Sequence, residues 1–298
     1  MSDIYFSIKF RKKNENSKKN FVSLNMLGNY KKVVEFTEGS KRIKCPQEPS
    51  QMSNEKATFL LKMMLSEIVE IFEVFSETPE EAQLKLQNLI SKELDFSFQY
   101  YVSEELVLHK FLPSEKECVD LIENYLFLLF KFASTFSEDP QLTLLDCLGV
   151  DAHAQIKKMD EEDKIIEIFD GLVDAMYYAL NVCSLFGIDL DFYDRDPRNN
   201  IIWDRQMCLK KIENEENIAV KQGLILYNCW TISVNFSKKY GIDLFLLFNA
   251  VHDANMDKRD PVTKQFIIRE SDGKVLKREG WVEADLKFLL FGNNQVTA

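Results

Sequence analysis

The sequence predicts an all-α protein, on three observations. Glycine and proline are scarce, 10 and 7 in 298 residues, too few for a turn-rich β fold. Long runs rich in Leu, Ile, Lys and Glu place apolar residues three and four apart, the repeat of a helix with one buried face. The glycine loops of nucleotide-binding α/β folds, GxxxxGK[ST] and GxGxxG, are missing, as is the GxSxG nucleophile elbow. Two segments depart from the helical pattern. "IYFSIKF" (4–10) alternates as a short N-terminal strand. "QFIIRESDGKVLKREGW" carries two apolar arms around Ser271-Asp272-Gly273, the pattern of a C-terminal β-hairpin.

Residues 1–50 read as an N-terminal extension, with a basic polar loop, "RKKNENSKKN", after the strand. Two prolines and several turn formers make 41–54 a linker. The helical domain spans 51–298. Ser53 or Asn54 caps "EKATFLLKMMLSEIVEIFEVF". Pro79 opens the next helix, with acids in its first turn as the helix dipole prefers. "EKECVDLIENYLFLLFKFASTF" is a third. "DEEDKIIEIFDGLVDAMYYALNVCSLFG" is a fourth, and Gly187 is placed to end it. "IAVKQGLILYNCWTISVNFSKKYG" and "DLFLLFNAVHDANMDK" complete the set. "NVCSLFGIDLDF" and "NFSKKYGIDLFL" echo each other; aligned, Asn228 falls where Asp174 stands and Lys221 where Glu167 stands.

A net charge of −11 argues against nucleic acid as a general partner. Six scattered cysteines without a CxxC pair read as reduced thiols, and three histidines are too few for a multi-His metal site. The N-terminus lacks the apolar core of a signal peptide. The most apolar stretch, "LIENYLFLLFKFASTF", is broken by Glu123, Asn124 and Lys131 and reads as a core helix. A cytoplasmic protein without membrane contact is expected.

The chemistry concentrates in two acidic rows. Glu167, Asp170 and Asp174 follow one another at three and four residues, so they share a helix face opposite Ile168, Leu172, Met176 and Leu180. Glu67 and Glu70 share a face of an earlier helix. Like charges in a row destabilise a helix unless they are solvated or neutralised. Packed together, the two rows offer an all-oxygen site suited to Mg²⁺, with Mn²⁺ as the alternative, and not to zinc. Gly171 costs its helix about 1 kcal/mol relative to alanine, which suggests close approach to its backbone. Asn255 and Lys258 lie one turn apart and offer an amide and an ammonium to a phosphate, with His252 one turn earlier. Lys274, Lys277 and Arg278 form a local basic cluster.

Taken in order, these motifs resemble the all-α NTP pyrophosphatase superfamily, which includes MazG-like enzymes, and most closely its phosphoribosyl-ATP pyrophosphohydrolase-like branch. The residues that carry the resemblance are Glu67-x-x-Glu70, Asp170–Tyr177 ("DGLVDAMY"), Phe186–Asp189 ("FGID"), Val251–Lys258 ("VHDANMDK") and Asp272–Lys277 ("DGKVLK") with Trp281. The resemblance implies a helical bundle, Mg²⁺ held by Glu67, Glu70, Asp170 and Asp174, and a homodimer or higher oligomer. It also implies Asn255 and Lys258 near the substrate phosphates. The acidic helices are farther apart in sequence than in that family, so about 80–160 reads as an inserted helical region. Glu93, Asp95, Glu104 and Glu105 are rival acids within it.

The expected activity is Mg²⁺-dependent hydrolysis of a nucleoside triphosphate to monophosphate and pyrophosphate. Glu67 or Glu167 would take the water's proton, and Asn255, Lys258 and Lys274 would bind phosphate. The second reading is a non-catalytic nucleotide-binding or scaffold protein.

Overall fold

Each long helix starts where the sequence supplies an oxygen for its first free amides. A computed structural model describes residues 29–92, 112–148, 158–194, 205–269 and 275–292. Its helices are α1 (Asn29–Lys41), α2 (Asn54–Glu73), α3 (Pro79–Ser91), α4 (Glu115–Ala133), α5 (Pro140–Cys147) and α6 (Glu161–Leu185). They continue with α7 (Leu190–Asp194), α8 (Arg205–Asn214), α9 (Ile218–Lys239), α10 (Leu244–Met256) and α11 (Leu286–Phe291). The fold is all-α. Ser53 accepts from the Lys56 amide, and Ser114 from that of Glu117, whose carboxylate returns the bond as a capping box. Asp160 caps α6 by accepting from Asp163. No helix among the described residues is long and apolar enough to cross a membrane.

Two long helices end in the same way. Gly187 (φ 66°) lets Ile188 N–H reach back to the Cys183 carbonyl at 3.0 Å, and Gly241 (φ 68°) lets Ile242 N–H reach that of Ser237 at 3.0 Å. Only glycine adopts this left-handed conformation without strain. An aspartate follows each turn. Asp189 accepts from the Asp191 amide as α7 begins, and Asp243 caps α10.

The repetition extends to the other helices. Ser53 caps α2 and Pro79 opens α3; at the same separation, Ser114 caps α4 and Pro140 opens α5. The packing follows the same rule: α2 lies on α6 and α4 on α9, while α7 crosses to α9 and α10 crosses to α6. The bundle is thus built from two halves of like construction, with their short helices exchanged. Aligned on these landmarks, Leu128 and Lys131 stand where the first half has Glu67 and Glu70. Leu224 and Asn228 stand where it has Asp170 and Asp174. At these four positions one half carries acids and the other does not.

One apolar core joins them. Leu61, Met64, Ile68 and Phe72 of α2 meet Ile168, Leu172, Val173 and Met176 of α6 in the same buried cluster as Tyr125 and Leu129 of α4 and Trp230 of α9. Burial of this kind contributes about 25 cal/mol per Å² of apolar surface, which outweighs helix propensity in holding the bundle together. The region 80–160 supplies α4 and α5 to this core.

The extension and the linker are also more engaged than their composition suggests. Tyr30, Val33 and Phe36 of α1 enter the core. The segment before α2 is fastened by Ser50 N–H to the Phe186 carbonyl (2.8 Å) and Met52 N–H to buried Gln222 (3.1 Å). The cysteines at 45, 118, 147, 183 and 229 are free and buried. At the C-terminal hairpin the described residues form only single antiparallel bridges, Ile268 with Val275 and Arg259 with Phe266, and no strand. The Ile268–Val275 bridge and the Leu276 N–H on the Ile267 carbonyl (2.8 Å) are antiparallel contacts between the two expected arms, and beyond them Arg278 and Trp281 bond to the end of α10. The expected strand at 4–10 and the hairpin tip lie outside the described residues.

Candidate functional site

The crossing of α2 and α6 creates the site. Gly171 faces the α2 backbone, and a Cβ there would stand 3.1 Å from the Glu67 carbonyl oxygen and 3.2 Å from Ile71 Cγ1. The absent side chain lets the two helices meet closely, so the backbone that approaches this glycine is that of α2. Glu67 and Glu70 on one helix then face Asp170 and Asp174 on the other. Glu67 is buried. Glu70, Glu167, Asp170 and Asp174 are partly exposed at the rim of the crossing.

Their proton affinities express that crowding. Burial, then the charges of Glu70, Asp174 and Asp170, pushes the Glu67 carboxyl up to about 10. Burial, followed by Asp174, Glu167 and Glu283, raises Asp170 to about 8. Asp174 rises to about 6 through burial and Glu70, opposed by the Lys258 ammonium. After burial, the Glu70 carboxylate is the largest contributor to the rise at Glu67, so the buried Glu67 carboxyl keeps its proton at neutral pH. Without a cation, the cluster holds protons in its place.

The second sequence constellation arrives at the same place. Because α10 packs on α6, Lys258 at its C-terminal end lies within reach of Asp174 and donates to the Asn255 side chain at 2.6 Å. Trp281 fixes the neighbouring segment. Its indole N–H donates to the Ala254 carbonyl (2.7 Å), and Lys258 and Lys277 stand 5.0 and 4.2 Å from the ring centroid. Arg278 is occupied elsewhere, donating to the Asp257 carbonyl at 2.8 Å and to the Asp257 carboxylate. Lys274 and the rival acids Glu93, Asp95, Glu104 and Glu105 lie outside the described residues.

Two contributors went unread in the sequence. Tyr178 follows Asp174 by one turn and continues its row, and burial with the charges of Glu67, Asp174 and Glu70 pushes its phenol upward. Its spacing was a usable signal. Glu283, before α11, reaches Asp170 and Asp174 only through tertiary packing, and no local pattern marks it.

The donor set fits a hard divalent cation, being all carboxylate oxygen with a rim open to solvent. As they stand, however, no three Asp, Glu, His or Cys side chains among the described residues are gathered closely enough to hold a metal ion. Binding would require these protons to leave and the carboxylates to close on the ion.

No family model matches this chain, and neither does any curated protein or solved structure.

Proposed function

We propose that the protein is a Mg²⁺-dependent nucleoside triphosphate pyrophosphohydrolase. The observation that carries this reading is the meeting of Glu67, Glu70, Asp170 and Asp174 at one helix crossing, beside Lys258. Mg²⁺, or Mn²⁺, when bound supplies charge neutralisation of the triphosphate and a water acidic enough to react near neutral pH. Asn255 and Lys258 hold the outer phosphates, the lysine as a point charge and the asparagine through its amide. The water oxygen forms a bond to the α-phosphorus while the bridging α–β bond breaks and pyrophosphate leaves. Glu67 or Glu167 accepts the water's proton. Lys274 is a further candidate for phosphate contact.

A non-catalytic nucleotide-binding protein is the second reading. It is favoured by the raised proton affinity of buried Glu67 beside Glu70, since cation binding must displace that proton. The deciding experiment incubates the protein with a panel of NTPs and dNTPs, with and without Mg²⁺, and measures monophosphate and pyrophosphate together. Equal, Mg²⁺-dependent release of both supports the hydrolase. Mg²⁺-dependent thermal stabilisation by a non-hydrolysable triphosphate without turnover supports the binding protein.

A further inference from the structure

Behind Lys258 runs a series of polar contacts that the proposed reaction does not use. Lys258 Nζ lies 2.6 Å from Asn255 Oδ1. The Asn255 side chain neighbours the Tyr177 phenol and holds down its proton affinity, as a donor to the phenol oxygen does. Tyr177 Oη lies 3.2 Å from His252 Nδ1. Both rings are buried, with His252 and Tyr177 4% and 7% exposed, so solvent does not compete for these contacts.

The direction of the series follows from its one charged end. An ammonium can only donate, so the Asn255 oxygen must face Lys258. That leaves the Asn255 NH₂ for Tyr177, whose oxygen therefore accepts. The phenol has one proton, and His252 Nδ1, 3.2 Å away, is the acceptor it faces. His252 must then be neutral, with its proton on Nε2. Burial supports that state by lowering the affinity of the imidazole for a second proton. Every donor points away from Lys258 and toward the core.

We infer that Tyr177 and His252 are positioning residues, which fix the Asn255 amide in one orientation and through it hold the Lys258 ammonium beside Asp174. His252 and Tyr177 sit on two different helices, α10 and α6, so the chain also registers the two halves of the bundle at the site. This role rests on the phosphate-binding assignment of Asn255 and Lys258, whereas the direction of the chain does not.

Two measurements separate these dependences. The first is ¹⁵N NMR of the imidazoles, with the three histidines assigned by substitution. The expected His252 signal is a neutral Nε2–H tautomer whose Nδ1 shift moves in Tyr177→Phe. A proton on Nδ1 of His252 overturns the chain, whatever binding shows. The second is titration with inorganic pyrophosphate in the presence of Mg²⁺. Tyr177→Phe and His252→Leu are each expected to weaken binding about fivefold, the scale of one neutral hydrogen bond. The double variant should be no weaker than either single one. His252→Asn, whose side-chain oxygen can replace Nδ1 as acceptor, should restore near wild-type affinity. A lower melting temperature in Tyr177→Phe with unchanged affinity would reduce the chain to a packing feature and overturn the positioning role. Wild-type protein that binds no pyrophosphate overturns the phosphate site itself, and the NMR result then stands apart as a statement about the chain.

Discussion

Gly171 of α6 lies against the backbone of Glu67 of α2, at a distance where an added Cβ would be 3.1 Å from the Glu67 carbonyl. This contact both packs the bundle and brings together the two acidic rows. A substitution there therefore tests structure and site at once.

Gly171→Val should force α2 and α6 apart. The added methyls meet a helix carbonyl, which cannot yield, and Ile71. Overpacking of this kind costs about 1–3 kcal/mol, partly offset by about 1 kcal/mol regained when glycine leaves a helix. Denaturant unfolding should show a net loss of stability, and Mg²⁺-dependent stabilisation should fall more steeply than stability itself. Wild-type Mg²⁺ response in this variant would mean that the crossing does not set the site.

The metal-free protein should lose stability as pH rises. Glu67, Asp170 and Asp174 all bind protons more tightly when folded, reaching about 10, 8 and 6. Between about pH 4 and 10 the folded chain therefore holds more protons than the unfolded chain. Stability from these groups is complete below the ordinary carboxylate range and declines above it. Glu67→Gln removes one source of repulsion. Its melting temperature minus that of the wild type should grow more positive from pH 5 to pH 8.5 without metal. A flat difference across that range would show that the cluster is ionised at no cost.

Magnesium should reverse that decline, because binding displaces the protons. Asp174→Asn should abolish this reversal and any Mg²⁺-dependent turnover while the circular dichroism spectrum stays helical. The other half has Leu128, Lys131, Leu224 and Asn228 in the corresponding places, so the proposed function predicts one triphosphate site per chain. Calorimetric titration with a non-hydrolysable triphosphate in Mg²⁺ checks that number, and two sites per chain would contradict the comparison of the halves.

Lys258→Met keeps the length of the side chain and removes its charge. Loss of one charge-assisted contact to phosphate should weaken Mg²⁺–triphosphate binding by about tenfold or more. Asp174 should gain proton affinity at the same time, since Lys258 is what opposes its rise. The acid limb of the pH–binding profile should therefore move upward by comparison with wild type.

The sequence by itself determined the all-α class, the helices α2, α3, α4, α6, α9 and α10, and the shared faces of the candidate acids, because these are written in local spacing. Ser53, Pro79, Ser114 and Asp160 announce helix starts through their own side chains, and Gly187 ends α6 through its own backbone freedom. The three-and-four spacing of Glu167, Asp170 and Asp174 sets a shared face before any packing occurs. α1 is polar on average and joins the core only through Tyr30, Val33 and Phe36 against distant helices, which no local spacing announces. Tertiary structure alone decided that α10 crosses to α6, which brings Lys258 to Asp174. It also decided that Glu283 reaches the acids, that Arg278 is taken by Asp257, and that Gly171 serves a helix crossing. The reason is the range of the forces: capping and periodicity act within a few residues, whereas helix exchange and charge proximity depend on which distant surfaces the core buries together.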